Sequence, residues 1–340
     1  GAPDWVYEEE FGFAQGFFWS PDSKKIAYYK FDESKVREFE MEEFGGLYPD
    51  WYSFKYPKAG EDNSIVSVMV YNVESGKTIM MNTGEETDIY LPRMKWTNDA
   101  NILAIQRLNR HQNHLEILAA NAETGETTVF YDEENPYYID ITDDWEFLKD
   151  GKRFIMTSEK SGYNHIYICS LNGQECKPLT SGEWDVTKIY GFDGKEVYFQ
   201  AAKNSPIERQ IYAVNLKGQV REIIGKEGTN NARFNNNFKY LINTNSTVTQ
   251  PYQYALYNNQ GKMVRMLEDN HEFVEKMKEY NVSDKQLIKI NDPAFVLPDG
   301  TNVEIDGWQI LPPDFDPSKK YPVLIYVYGG PGHQTVMNQW

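Results

Sequence analysis

Basic residues are scarce in this chain. Its 34 lysines and arginines face 51 aspartates and glutamates, for a net charge of −17. Such a field repels phosphate backbones and anionic membrane surfaces, so no nucleic-acid partner is expected. Long apolar runs are missing too: none approaches the roughly 18 to 20 residues that span a bilayer. The opening Gly1-Ala2-Pro3-Asp4-Trp5 has neither the basic nor the apolar region of a signal peptide, so residue 1 reads as an internal position or a cloning scar. There are only two cysteines, with no second Cys or His pair at ligand spacing nearby, so neither a metal nor a cofactor is expected. No Gly-x-Ser-x-Gly nucleophile elbow occurs anywhere. What is abundant is aromatic. With 24 Tyr and 18 Phe and with turn residues spread evenly, the composition favours a β-rich globular protein longer than one average domain.

The two cysteines flank Asn172-Gly173, the strongest short hairpin signal in the chain. With those two residues as the turn, Leu171 faces Gln174, Ser170 faces Glu175 and Cys169 faces Cys176. The thiols then lie opposite each other within reach of a disulfide, which would place the domain in an oxidising compartment.

A repeat organises most of the sequence. An aromatic residue, a turn segment and a β-branched strand recur at Trp19-Ser-Pro-Asp, Trp96-Thr-Asn-Asp, Phe147-Leu-Lys-Asp-Gly, Phe192-Asp-Gly and Phe234-Asn-Asn-Asn. A later hairpin turns at Gly76, Gly125, Gly173, Gly218 and Gly261, 43 to 49 residues apart. Four strands per period of that length is the pattern of a β-propeller blade, and five blades can be counted. Residues 32 to 64 interrupt the first repeat. Phe44, Leu47, Tyr48, Trp51, Tyr52, Phe54 and Tyr56 are too apolar for a solvated excursion, so the insertion reads as an arm packing on a partner subunit or a neighbouring domain.

The period changes after the fifth blade. His271 to Tyr280 has helical spacing, and residues 294 to 311 read as two strands around Pro298-Asp299-Gly300. A continuous apolar run, Val323 to Tyr328, then reads as a strand covered on both faces. It leads into Gly329-Gly330-Pro331-Gly332, where backbone N–H groups could approach a ligand closely. The reading is a propeller over 1–284 and a second domain over 285–340.

Three blocks carry a family resemblance: Asp4-Trp-Val-Tyr-Glu-Glu-Glu10 with Trp19-Ser-Pro, Leu267-Glu-Asp-Asn270, and Ile310-Leu-Pro-Pro-Asp-Phe-Asp-Pro-Ser-Lys-Lys-Tyr-Pro322 running on to Val327-Tyr-Gly-Gly-Pro331. In family order over nearly the whole chain, they resemble the dipeptidyl peptidase IV branch of the prolyl oligopeptidase family. These are secreted or membrane-anchored serine exopeptidases, with an eight-bladed propeller capping an α/β-hydrolase domain. The resemblance implies about five of the eight blades, followed by the first strands of that hydrolase domain. It puts the two-glutamate motif that binds the substrate N-terminus on Glu9 and Glu10, directed into the cavity where propeller meets hydrolase, and the oxyanion-stabilising tyrosine on Tyr328. It also implies that the N-terminal blades, the arginine contacting the substrate carbonyl, and the serine, aspartate and histidine of the triad are outside this chain. His333, His111, His114, His165 and His271 are accordingly expected to be surface or packed residues.

The expected function is a serine exopeptidase releasing X-Pro or X-Ala dipeptides from peptides with a free N-terminus, outside the cytoplasm, with a homodimer through the 32–64 arm. The contrasting reading is a non-catalytic propeller that binds peptides or proteins.

Overall fold

The computed structural model describes residues 3–13, 15–297, 300–330 and 332–340. The protein is mainly β, with 45% of residues in strands and 4% in helices. Five antiparallel sheets follow one another along the chain, each built in sequence order from inner to outer strand except where the second is supplemented. The first blade comprises Phe17–Trp19, Lys25–Asp32, Ile65–Asn72 and Thr78–Met80, and the second Ile89–Tyr90 with Met94–Trp96, then Ile102–Asn109, His114–Asn121 and Thr127–Glu134. The third comprises Trp145–Phe147, Arg153–Ser158, His165–Ser170 and Cys176–Pro178, and the fourth Val186–Phe192, Glu196–Ala201, Gln210–Asn215 and Val220–Ile224. The fifth runs Thr229–Phe234, Tyr240–Ser246, Gln253–Asn258 and Met263–Glu268. Each repeated aromatic, Trp19, Trp96, Phe147, Phe192 or Phe234, closes the first strand of its blade.

The middle strands are apolar on both faces because a blade has sheet neighbours on either side. Leu103, Ala104 and Ile105 on one strand of the second blade are fully buried together, as are Val197, Tyr198 and Phe199 in the fourth. The chain forms two compact units, residues 1–160 with 167–177 and residues 161–166 with 178–340.

The recurring glycines have a common task. All five turn with positive φ, from +68° to +83°. In four of the blades an asparagine precedes the glycine: Asn72, Asn121, Asn215 and Asn258 each accept the N–H two residues on through Oδ1. Their carbonyls accept from Gly76, Gly125, Gly218 and Gly261 at 2.8–3.0 Å. Ser170 takes that place in the third blade. From the second blade on, each glycine lies against the backbone of the preceding blade's outer edge, at Met80, Phe130, Leu179 and Ile223 in turn. The turn therefore keys one blade onto the last.

Cys169 and Cys176 are joined by a disulfide. Their hairpin differs in detail from the expected two-residue turn. Ser170 N–H donates to Glu175 O and Gly173 N–H to Ser170 O, so Asn172-Gly173 forms the end of a turn begun at Ser170. Both geometries give the same register, which is why the cysteines still meet.

The insertion forms a two-stranded hairpin, Glu38–Glu43 with Asp50–Lys55, between the second and third strands of the first blade. The helix expected near 271 is present as His271–Met277. A two-stranded sheet, Lys285–Val296 with Asn302–Ile310, follows and starts earlier than position 294 because the pairing extends back to Lys285↔Ile310. Pro298 and Asp299 of its expected turn, Gly1 and Ala2 of the opening segment, and Pro331 of the glycine turn lie outside the described residues. One expectation is corrected: Val323 to Tyr328 is not a buried strand. It has no strand pairing, and its side chains are exposed, Leu324 at 96%. A strand of this kind is held by hydrogen-bonded neighbours on both sides, and among the described residues none pairs with it.

The keying turns make a testable contrast. A Cβ at Gly125 would overlap the Met80 carbonyl, whereas at Gly151, also at positive φ, it would meet open space. Gly151→Ala should cost about 1–2 kcal/mol from the backbone alone, and Gly125→Ala a further ~1–3 kcal/mol from overpacking. Urea unfolding of the two variants measures the difference.

Candidate functional site

The acidic motif begins on a single short helix, α1, Trp5–Glu9. Five residues cannot hold a helix alone in water. Asp4, itself buried, caps it by accepting the Tyr7 N–H at 2.8 Å. Tyr7 then enters the core of the first unit at 2% exposure, among Phe11, Phe13, Tyr29, Phe31 and Tyr90 at centroid distances of 5.2–6.4 Å. Its hydroxyl accepts the backbone N–H of Leu91 at 2.8 Å, fastening the helix to the second blade. Burial pushes the phenol far above its ordinary pKa, so Tyr7 stays neutral. Trp5 packs edge-on against Tyr56 at the base of the inserted arm, 4.5 Å between centroids.

At 100° per residue, Tyr7 and Phe11 share one side of the turn and Glu8, Glu9 and Glu10 fan over the other. All three glutamates are exposed. Among the described residues no lysine, arginine or histidine is ion-paired with any of them. Glu10 lines a cleft of about 760 Å³ together with Trp5, Tyr56, Tyr90, Arg110 and His111. Lys35 and Lys58 line that cleft as well, and Arg110 donates to Asp88 at 2.7 Å and to the Glu61 carbonyl at 3.1 Å. Burial, and secondarily Asp140 and Glu10, raise the pKa of Tyr138, and burial also raises that of Asp140. The arrangement is a surface of free carboxylates on a rigidly held turn, suited to an ammonium group.

Tyr328 is 58% exposed at the end of the unpaired run, with its ring edge-on to His333 at 4.6 Å and folded over Gly330. The remaining histidines are distributed as surface or packed residues. His165 is buried between Thr180 and the Gly182 carbonyl, at 3.0 and 2.9 Å, while His111 and His271 are exposed. His114 pairs with Asp132 at 3.1 Å and approaches Glu116, but Arg107 holds Glu116 at 2.5–2.8 Å, which makes the trio a surface charge network. Sequence reading missed Asp4 and Tyr7, although a capping aspartate followed by apolar residues at helical spacing was a usable signal.

Residues 1–252 match the family described as the dipeptidyl peptidase IV (DPP IV) N-terminal region. The chain belongs to the dipeptidyl peptidase IV family. The crystal structure of Porphyromonas gingivalis dipeptidyl peptidase 4 superposes with a TM-score of 0.90 at 38% identity, covering 100% of this chain and 48% of that one. The dipeptidyl peptidase 4 proteins of Trichophyton equinum and Trichophyton rubrum are each 31% identical over 361 residues, covering all of this chain and 46% of theirs. The chain thus spans about half the length of its dipeptidyl peptidase relatives, in the region that forms their N-terminal part. Among the described residues no helix is long and apolar enough to cross a membrane.

The Tyr7 contact can be tested directly. Tyr7→Phe keeps the ring but leaves the Leu91 N–H without its acceptor inside the core, which should cost about 1–3 kcal/mol. Thermal unfolding should show a lower midpoint for Tyr7→Phe and an unchanged one for the exposed Glu9→Ala.

Proposed function

We propose that the protein works as part of a serine exopeptidase that releases N-terminal dipeptides with proline or alanine second, and that this chain supplies the substrate-amine anchor. The observation that carries this reading is the set of unneutralised, exposed carboxylates of Glu9 and Glu10 on a turn clamped by Tyr7. A peptide α-amine has a pKa near 8 and is largely charged at neutral pH. Two carboxylates side by side repel each other and gain most when such a cation is held between them. With the amine fixed at a set distance from the nucleophile, only two residues fit before the scissile bond.

Tyr328 serves as an oxyanion donor: a phenol O–H aimed at the charge that develops on the attacked carbonyl stabilises the tetrahedral intermediate. Residues 1–284 are the propeller and 285–340 lead into the hydrolase domain. The serine, aspartate and histidine of the triad belong to the part of the relatives' length that this chain does not span. Oxyanion stabilisation without the triad leaves only a small residual rate, so the 340-residue chain by itself is inactive. The disulfide suits a secreted, periplasmic or membrane-anchored location.

The inserted hairpin has a separate role as an interface with a second copy. Phe44, Leu47 and Tyr48 at its tip are 80–92% exposed and Trp51 63%, an apolar patch that water solvates poorly.

In the full-length protein, Glu9→Gln and Glu10→Gln should each lower kcat/KM for a Gly-Pro chromogenic substrate by at least about 30-fold, the loss expected when one partner of a desolvated charge pair is neutralised. Folding should be retained. Wild-type turnover in both variants would remove the anchor assignment, and an inactive full-length wild type would favour the non-catalytic binding propeller.

Deleting residues 37 to 55 should lower the oligomer mass seen by light scattering. An unchanged mass with unchanged solubility would return the hairpin to a solvated excursion.

A further inference from the structure

The exposed run ending at Tyr328 is followed by a segment of opposite character. Gln334 accepts from Arg209 Nη2 at 2.5 Å and donates to the Pro206 carbonyl at 2.9 Å. Asn338, only 4% exposed, has every polar group engaged. Its N–H donates to Ile207 O at 2.8 Å, its Nδ2 donates to Glu208 Oε1 at 2.8 Å, its Oδ1 accepts from Val248 N–H at 3.0 Å, and its carbonyl accepts from Thr229 Oγ1 at 3.1 Å. The same Glu208 carboxylate also accepts from Gly228 N–H and Gln210 Nε2, so it is held in place by the blades themselves. These partners lie just before the third strand of the fourth blade and around the first two strands of the fifth, all within the second compact unit.

We propose that Asn338 is the positioning residue of the Tyr328 loop: it fastens the segment Gln334–Gln339 to the fourth and fifth blades, so that the propeller sets where the Tyr328 hydroxyl stands. The physical reason is an asymmetry of restraint. Among the described residues Val323 to Tyr328 makes no strand pairing, so the first buried attachment after Tyr328, at Asn338, fixes the reach of the loop. An asparagine is required because the site presents a carboxylate acceptor on one side and a backbone donor on the other, and one primary amide satisfies both. Losing it leaves the half-buried Val248 N–H without its acceptor and Glu208 Oε1 with Gly228 N–H alone. The inference rests on reading Tyr328 as the oxyanion donor.

The test has two arms. In the full-length protein, Asn338→Ala should lower kcat for a Gly-Pro chromogenic substrate about 10- to 100-fold, the scale of an ~1 Å misplacement, with KM within about twofold. In a Tyr328→Phe background the same substitution should lower kcat less than about twofold, since the group being positioned is gone. An equal loss in both backgrounds would make Asn338 merely structural and overturn the proposal. The second arm needs no turnover. In the 340-residue chain, Asn338→Ala should speed amide exchange at Val248 at least about 10-fold by local opening, and unchanged exchange would overturn the anchoring. Should Asn338→Ala fail to fold, Gln334→Ala, which removes the Arg209 and Pro206 contacts of the same segment, is read by the kcat comparison in the two backgrounds. An inactive wild type would strip Tyr328 of its role and overturn the positioning claim, while the exchange arm would still report whether the anchor exists.

Discussion

A single buried hydroxyl determines where the acidic motif of this protein stands. Tyr7 accepts the Leu91 N–H inside a shell of five aromatic rings, and that contact converts a helix too short to survive alone into a fixed ledge on the second blade. The carboxylates of Glu8, Glu9 and Glu10 are then presented, exposed, on the opposite side of the turn, and among the described residues none of them is ion-paired. Like charges on a floppy segment would separate and hydrate. On a ledge with a capped N-terminus their backbone positions stay together, which suits an incoming ammonium group.

The ledge depends in turn on the stacking of blades, for which the keyed glycine turns provide a local device. An Asx-stabilised turn with a left-handed glycine lets one blade touch the outer edge of its predecessor, backbone against backbone. The device repeats where strand lengths and side chains do not, since the contact needs only a carbonyl and the absence of a Cβ. Segments outside the repeat behave differently. Among the described residues the Val323–Tyr328 run has no partner strand, whereas Gln334 and Asn338 meet the fourth and fifth blades.

The propeller was readable because its signals are local and periodic. Gly76, Gly125, Gly173, Gly218 and Gly261 mark equivalent turns, and the aromatics from Trp19 to Phe234 mark equivalent strand ends. The Cys169–Cys176 bridge was readable for the same reason, as hairpin register survives a change of turn type. The run at Val323 misled because apolar β-branched sequence reports what a strand would bury, whereas pairing is decided by neighbours far away in the chain. α1 was missed because five residues carry too little periodicity, and the roles of Asp4, Tyr7 and Asn338 were missed because their partners, except in the cap, lie distant in sequence. The family resemblance singled out Glu9, Glu10 and Tyr328. The structure adds what supports Glu9 and Glu10 from behind, and the contacts that follow Tyr328.

The central claim is that the acidic ledge selects substrates by their charged N-terminus. The most direct measurement compares kcat/KM of the full-length protein for a Gly-Pro chromogenic substrate and for its N-acetylated form, which keeps the scissile bond and removes the ammonium charge. The account predicts a loss on acetylation of at least about 30-fold, from the energy of a desolvated charge pair. Equal cleavage of the two substrates would contradict it.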